Sequence, residues 1–335
     1  IRRQRQMCIR DSAAVGPDGV LEAPQRIDGG DGEAVFQPEW SPDGVLHYVI
    51  DRPGWWNLQR WDGTKAVPVC PMKAEFGLPQ WVFGMTTYGF DGSGRIVVTY
   101  CEEGQWRLGC IDAASGILAP VEIPYCDFMG LKVSGSAAYF VAGHISEPPL
   151  LVALCLNDFN IEPIRRSTDA TIDPSQISAA QAVTFPTYGD EKAHGFYYPP
   201  ANSDVVGPDG SLPPLIVKSH GGPTGQTGEA LNLKIQYWTS RGFAVLDVNY
   251  RGSTGYGRAY REKLRGGWGV VDVDDCEAGA LYLVSQGKAD GNRLIISGGS
   301  AGGYTTLCSI TFRDTFKTGA SHYGIGDLAT LAADT

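Results

Sequence analysis

Residues 293–313 read RLIISGGSAGGYTTLCSITFR. The short apolar run 293–297 has the length of a buried strand, and the pattern over 302–313 is that of a helix. Between them, Gly298-Gly299-Ser300-Ala301-Gly302 fits GxSxG. A nucleophilic serine in that pattern sits on a sharp strand-to-helix turn with a strained backbone. Glycine is needed on both sides, because side chains there would strike the neighbouring strand and helix. With 44 glycines in 335 residues, roughly 0.3 such pentapeptides arise by chance, so the context must carry the reading.

The context upstream is of the same kind. His220-Gly221-Gly222-Pro223 follows another apolar run, 215–218. A Gly-Gly turn leaves a backbone N–H bare and able to point at a developing oxyanion. Ser300 is therefore the candidate nucleophile, with the N–H groups of Gly222 and Ala301 as a two-donor oxyanion hole. Around these motifs the sequence predicts a strand pair, 182–185 and 194–198, about the turn at Tyr188-Gly189-Asp190. It also predicts a helix over 229–241 stopped by Gly242, a buried strand over 243–248, a helix over 272–286 and a strand over 319–324. Asp272, Asp274, Asp275 and Glu277 crowd the first turn of the 272–286 helix, where the dipole favours anions. Short apolar strands alternating with helices imply a parallel sheet covered on both faces, an α/β domain.

The first half has another rhythm. Short strands alternate with turn clusters such as Ser41-Pro42-Asp43-Gly44 and Asp91-Gly92-Ser93-Gly94, whose Asp-Gly pairs lie 48 residues apart, and a weaker copy runs over 129–156. Strands in sets of four at that period are the mark of propeller blades, each needing its neighbours to bury its faces. About three blades fit, against the four or more of a closed propeller. A sandwich of irregular hairpins is the other reading. The expected organisation is residues 1–12 as a non-native scar, 13–176 as a partial propeller of about three blades, and 177–335 as the N-terminal portion of an α/β-hydrolase catalytic domain.

The formal charge is −10, and becomes −13 without the Arg-rich first twelve residues. No basic stripe with interleaved aromatics is present, so nucleic acid is a poor partner. No apolar run is long enough to span a bilayer. The eight Cys form no CxxC pair, which leaves zinc unsupported and suggests free thiols in a reducing, cytoplasmic setting. A Cys101–Cys110 disulfide across a hairpin stays open. No metal and no cofactor are called for.

His220-Gly221-Gly222-Pro223, the run Asn249–Gly257 (NYRGSTGYG), Trp268-Gly269 and Gly299-Ser300-Ala301-Gly302-Gly303-Tyr304 stand in an order and spacing that resembles the prolyl oligopeptidase family. The HGGP form is most similar to its acylaminoacyl peptidase and dipeptidyl aminopeptidase branch. The resemblance is strong over about 180–335 and weaker before it. It implies a β-propeller, usually seven-bladed, ahead of a C-terminal α/β-hydrolase domain, with short peptides as substrates because the propeller screens access. It also implies Ser300 as nucleophile and Gly222 and Ala301 as oxyanion donors. Other branches carry a Tyr hydroxyl donor at the position of His220, so a backbone donor is expected here.

The triad order in α/β-hydrolases is Ser, then Asp or Glu, then His. Only 35 residues follow Ser300, and their one His, His322, precedes Asp327 and Asp334. His322 fits neither the order nor the place of a base, so it is expected to be structural. The chain reads as truncated at both ends and inactive by itself, with its acid and base on later strands. Glu102-Glu103 resembles the pair that grips a substrate amino terminus in dipeptidyl peptidases, but before Gly104 it reads as solvated charge at a hairpin turn. His47, His144 and His194 are isolated, and Arg251 is expected to support the loop near the site. The expected function is a serine peptidase releasing aminoacyl or dipeptidyl units. A carboxylesterase, or a propeller interaction module with a decayed hydrolase half, are the competing readings.

Overall fold

A computed structural model describes residues 9–169 and 171–334. The front part begins with an antiparallel pair, β1 (Ile9–Ser12) and β2 (Gln25–Gly29). The last four residues set apart above thus pair with the chain that follows, and residues 1–8 lie outside the described ones.

Three four-stranded antiparallel meanders come next. They are β3 (Val35–Trp40) to β4 (Leu46–Ile50), β5 (Asn57–Trp61) and β6 (Ala66–Pro68), then β7 (Tyr88–Phe90) to β8 (Arg95–Glu102), β9 (Gln105–Asp112) and β10 (Leu118–Pro120). The third runs β11 (Asp127–Ser134), β12 (Ala137–Gly143), β13 (Leu150–Cys155) and β14 (Ile161–Arg166). These are the three propeller blades that the repeat predicts. Their turns are closed by short polar side chains, as the Asp-Gly pattern requires. Asp91 Oδ1, for instance, accepts from Ser93 N–H at 2.8 Å and Arg95 N–H at 3.2 Å.

Each blade buries its faces on the next. Phe36, Val49 and Leu58 pack with Tyr88, Ile96 and Val98, while Val97 and Leu108 pack with Phe128, Phe140 and Val152. The set of four is as expected, but the outermost strand of each blade is the one the sequence marks least. β6 and β10 have only three residues each, β14 is largely exposed, and each of the three carries a proline. Such outer strands lack the apolar alternation that marks inner ones.

The remaining strands form one six-stranded sheet. Its members are β15 (Gln181–Thr187), β16 (Glu191–Tyr198), β17 (Leu215–Ser219), β18 (Ala244–Asn249), β19 (Leu294–Gly299) and β20 (Thr318–His322), in the order β15-β16-β18-β17-β19-β20. β15 and β16 form a hairpin antiparallel to β18, and β18, β17, β19 and β20 run parallel. The parallel arrangement expected for the strands that alternate with helices is present in these four, and the expected strand pair about Gly189 forms the antiparallel edge.

The helices are α1 (Leu233–Thr239), α2 (Arg258–Glu262), α3 (Val271–Ser285), α4 (Ala301–Phe312) and α5 (Leu328–Asp334). α1 starts four residues later than predicted because Asn232 caps it, accepting from Lys234 N–H at 3.0 Å. Gly242 ends that segment at φ +86°, as a stop signal should. The core of the sheet is Val217, Leu246, Val248 and Ile296 with Cys276, Ala280 and Leu283 of α3, all fully or almost fully buried.

At the start of α3, Asp272 and Asp275 are fully buried, Glu277 is buried and Asp274 is partly exposed. Asp272 accepts from Gly269 N–H at 2.7 Å and from the Thr305 hydroxyl. A buried carboxylate is tolerated where donors replace its water. No disulfide joins Cys101 to Cys110. Cys101 lies opposite Trp106 and Cys110 opposite Val97, and both thiols are free.

Candidate active site

Ser300 stands between β19 and α4 with φ +55° and ψ −120°. A β-carbon makes that region costly, so the surrounding structure must hold it there. Its N–H donates to His322 C=O at 3.0 Å, tying the turn to the end of β20. The flanking glycines are sterically required. A Cβ on Gly302 would collide with the carbonyl oxygens of Ser219 and His220, the latter at 2.7 Å, and one on Gly298 would lie 2.9 Å from Ser219 O. The elbow therefore packs directly on the end of β17, where the Gly-Gly turn begins.

That turn approaches Ser300 closely. A Cβ built on Gly221 would lie 3.5 Å from Ser300 Cβ. Gly222 has φ +129°, and a Cβ there would stand 2.7 Å from Thr224 N. Ala301 is fully buried as the first residue of α4. Its N–H belongs to the first turn, whose donors have no partner within the helix and sit at the positive end of its dipole.

The turn is braced from behind by the run Asn249–Gly257. Tyr250, fully buried, has its hydroxyl 3.1 Å from both the His220 and the Pro223 carbonyl oxygens. Burial pushes its phenol well above the usual range, so it remains a donor. Its ring stacks on His220 with centroids 4.3 Å apart. His220 Nδ1 lies 2.8 Å from Gly221 O, which can only accept, so Nδ1 carries the proton. Nε2 then accepts from the Ser253 hydroxyl at 2.8 Å. Burial also pushes the His220 pKa down, so the ring stays neutral and spends both nitrogens on the brace.

Arg251 faces the other way. Its N–H donates to Asp275 Oδ2 at 2.7 Å and its Nε to Oδ1 at 2.9 Å, and Thr187 donates to the same carboxylate at 2.7 Å. Trp268 packs edge-on against Tyr304 with centroids 4.9 Å apart, and Asp272 joins Gly269 to α4. These motif residues thus hold the turn and the elbow in place.

The blades also reach this loop, through residues that the sequence did not single out. Glu75, fully buried, accepts from Gly255 N–H at 2.8 Å and Gly257 N–H at 3.1 Å, and burial pushes its carboxyl up against the pull of Arg261. Asp51 pairs with Arg261, whose guanidinium lies 4.3 Å over the Trp56 ring. The Glu102-Glu103 turn stands as expected, with Glu103 exposed, and the next residue touches the loop through Gly104 N–H to Gly255 O at 3.1 Å.

None of the five imidazole rings hydrogen-bonds the Ser300 side chain. His47 contacts Val45 O, His144 contacts Ser146, and His194 stacks on Tyr256 at 4.2 Å. His322 is exposed at the end of β20, and only its carbonyl meets Ser300. Among the described residues, no cluster of His, Cys, Asp and Glu suits a metal ion, and no helix is long and apolar enough to cross a membrane.

His194 supplies a pH test of the loop. Burial, reinforced by Lys192 and Lys263, pushes its pKa from 6.5 down to about 4. The unfolded chain takes up a proton that the folded one refuses, so this stability is present above pH 6.5 and lost as pH falls towards 4. Melting temperatures of His194→Phe are expected to fall less steeply than those of the parent over that interval. Parallel profiles would contradict the assignment.

Comparison with known proteins agrees with this arrangement. Residues 229–335 match the model of the prolyl oligopeptidase family. Dipeptidyl aminopeptidase BIII of Pseudoxanthomonas mexicana is 38% identical over 119 residues, 35% of this chain and 17% of that protein. The acylamino-acid-releasing enzyme of Arabidopsis thaliana is 34% identical over 128 residues, 38% and 17% of the two chains. The solved structure of a puromycin-hydrolyzing peptidase of Mycobacterium tuberculosis superposes with a TM-score of 0.92 at 40% identity, covering 96% of this chain and 50% of that one. This chain therefore spans about half the length of that structure and about a sixth of those curated relatives. Over residues 229–335 the chain is thus similar to the prolyl oligopeptidase family, and over nearly its whole length it shares the fold of the puromycin-hydrolyzing peptidase.

Proposed function

We propose that Ser300 is the nucleophile of a serine peptidase that releases aminoacyl or dipeptidyl units from short peptides. The observation that carries this is the left-handed Ser300, held within reach of the Gly-Gly turn. In this reading, Ser300 Oγ attacks the peptide carbonyl carbon while a base removes its proton. The oxyanion accepts from Gly222 N–H and Ala301 N–H, and the C–N bond then breaks as the base returns that proton to the leaving amine. Water releases the acyl group by the same steps in reverse roles. The dipeptidyl aminopeptidase and acylamino-acid-releasing relatives support peptides as substrates.

The base is not among the five histidines of these 335 residues, each of which is engaged or placed elsewhere. The 335 residues expressed alone are therefore expected to turn over peptides near the background rate. Residues 13–176 act in this proposal as the partial propeller that filters substrates by size, and 177–335 as the catalytic portion. The seven described cysteines are free, which supports a reducing compartment such as the cytoplasm. The net charge of −10 disfavours nucleic acid.

The experiment is a comparison of aminoacyl and dipeptidyl anilides with matched esters, on the chain supplied with an acid and a base by extension. Peptide turnover, lost by a factor on the order of 10³ or more in Ser300→Ala, is expected. Turnover of esters alone would replace the peptidase with an esterase.

A further inference from the structure

Glu75 lies outside the α/β half, in the segment 69–87 that joins the first blade to the second. We propose that it is a positioning residue for the Gly-Gly turn, so that the blades set where the Gly222 N–H points as well as screening substrates. This rests on Ser300 being the nucleophile and Gly222 an oxyanion donor.

The residue is itself held firmly. Glu75 N–H donates to Cys101 O and Cys101 N–H to Glu75 O, both at 2.9 Å, which ties its backbone to the end of β8. Its carboxylate is buried and gives one oxygen to each of two loop amides. Oε2 accepts from Gly255 N–H at 2.8 Å and Oε1 from Gly257 N–H at 3.1 Å. Charge-assisted bonds of this kind are the strong ones, and two of them fix orientation as well as distance. Both loop residues are left-handed glycines, at φ +90° and +85°. A Cβ on Gly255 would lie 2.6 Å from Gln226 Oε1, and one on Gly257 would lie 3.1 Å from the Trp55 ring. The loop thus has no free space in which to shift.

The hold passes directly to the turn. Gly255 N–H belongs to the planar peptide unit that it shares with Thr254. Thr254 N–H donates to Gly225 O at 2.9 Å, and the Ser253 hydroxyl donates to His220 Nε2 at 2.8 Å. His220 and Gly225 flank residues 221–224, so the loop that Glu75 holds grips both ends of the turn. Trp81, from the same segment as Glu75, reaches the turn itself, with Nε1–H donating to Thr224 O at 2.8 Å. Screening by size alone would require no buried carboxylate behind the turn, where it carries a desolvation cost.

The chain without a base is a direct reporter of the oxyanion donors. Where triad members are removed, the catalysis that remains over water comes from the oxyanion hole and binding. The rate of Ser300 phosphonylation by a fluorophosphonate is expected to fall about tenfold or more in Glu75→Ala. Glu75→Gln keeps one acceptor and should lose less. Gln105→Ala lies at the same seam but touches Glu229 instead, and its rate should equal the parent's. Hydrogen exchange separates positioning from general loosening. The Thr254 amide, bonded to Gly225 and not to Glu75, should exchange faster in Glu75→Ala, with the amides of β17 and β19 unchanged.

An unchanged phosphonylation rate in folded Glu75→Ala would overturn the proposal. So would an equal fall in Gln105→Ala, or exchange that rises alike in β17 and β19. Should Glu75→Ala fail to fold, Glu75→Gln decides, and a parental rate with parental Thr254 exchange would overturn it. Adducts away from Ser300 in the parent would overturn the nucleophile and the positioning role together. A labelled Ser300 indifferent to the Glu75 variants would overturn the positioning role alone.

Discussion

Gly302→Ala is expected to destabilise the α/β half by about 3 kcal/mol or more, at the upper end of what one inserted methyl costs in a packed core. The added carbon would meet the backbone oxygens of Ser219 and His220, which belong to the end of β17 and the start of the Gly-Gly turn. Neither is the end of a flexible side chain, so relief requires β17 and α4 to separate. That movement would also withdraw Gly221 from Ser300. Denaturant unfolding of Gly302→Ala beside Gly326→Ala measures the effect. Gly326 has nothing within 4 Å of its would-be Cβ and no left-handed φ, so its variant should stay within about 0.5 kcal/mol of the parent. Equal stability of the two variants would mean that the elbow does not pack on β17 as described.

The second large effect is expected at Asp275. Its carboxylate accepts from Arg251 N–H, from the Arg251 side chain and from Thr187, and Arg251 is itself 8% exposed. Asp275→Ala leaves a buried guanidinium, a buried amide and a hydroxyl without their acceptor. Breaking a buried pair in this way costs about 3–5 kcal/mol. Asp275→Asn keeps an acceptor oxygen and should lose less. Because Arg251 lies between Tyr250 and Gly252 in the bracing loop, the alanine variant is also expected to loosen the turn at Gly222. Hydrogen exchange of the amides over 249–257 would rise if so. A loss below about 1 kcal/mol would contradict the buried pair.

What could be read from the sequence was what is decided locally. The elbow was legible because GxSxG, a preceding apolar strand and a following helix all lie within 21 residues, and the steric need for Gly298 and Gly302 is a property of that short segment. The blades were legible from turns closed by their own Asp and Ser side chains. The outer blade strands were not, since two have only three residues, the third is largely exposed, and each is interrupted by a proline. Nor were the partners of Glu75 and Asp51, which lie 180 and 210 residues away along the chain. An isolated acid in a sequence gives no sign of the arginine it will meet. The acids at the start of α3 show the same limit. Their place in the first turn shows in the sequence, but nothing local signals that the tertiary structure buries two of them completely beneath the site. Trp81 was passed over for a related reason, since its link to Thr224 spans 143 residues.

The proposed function requires Ser300 to be a nucleophile beside two backbone donors. The most direct measurement is the site of phosphonylation when the chain is incubated with excess fluorophosphonate and digested for mass spectrometry. Without a base the reaction should be slow, yet the adduct should lie on Ser300 and disappear in Ser300→Ala. Adducts spread over exposed serines, or an unmodified Ser300 beside a labelled residue elsewhere, would contradict the account.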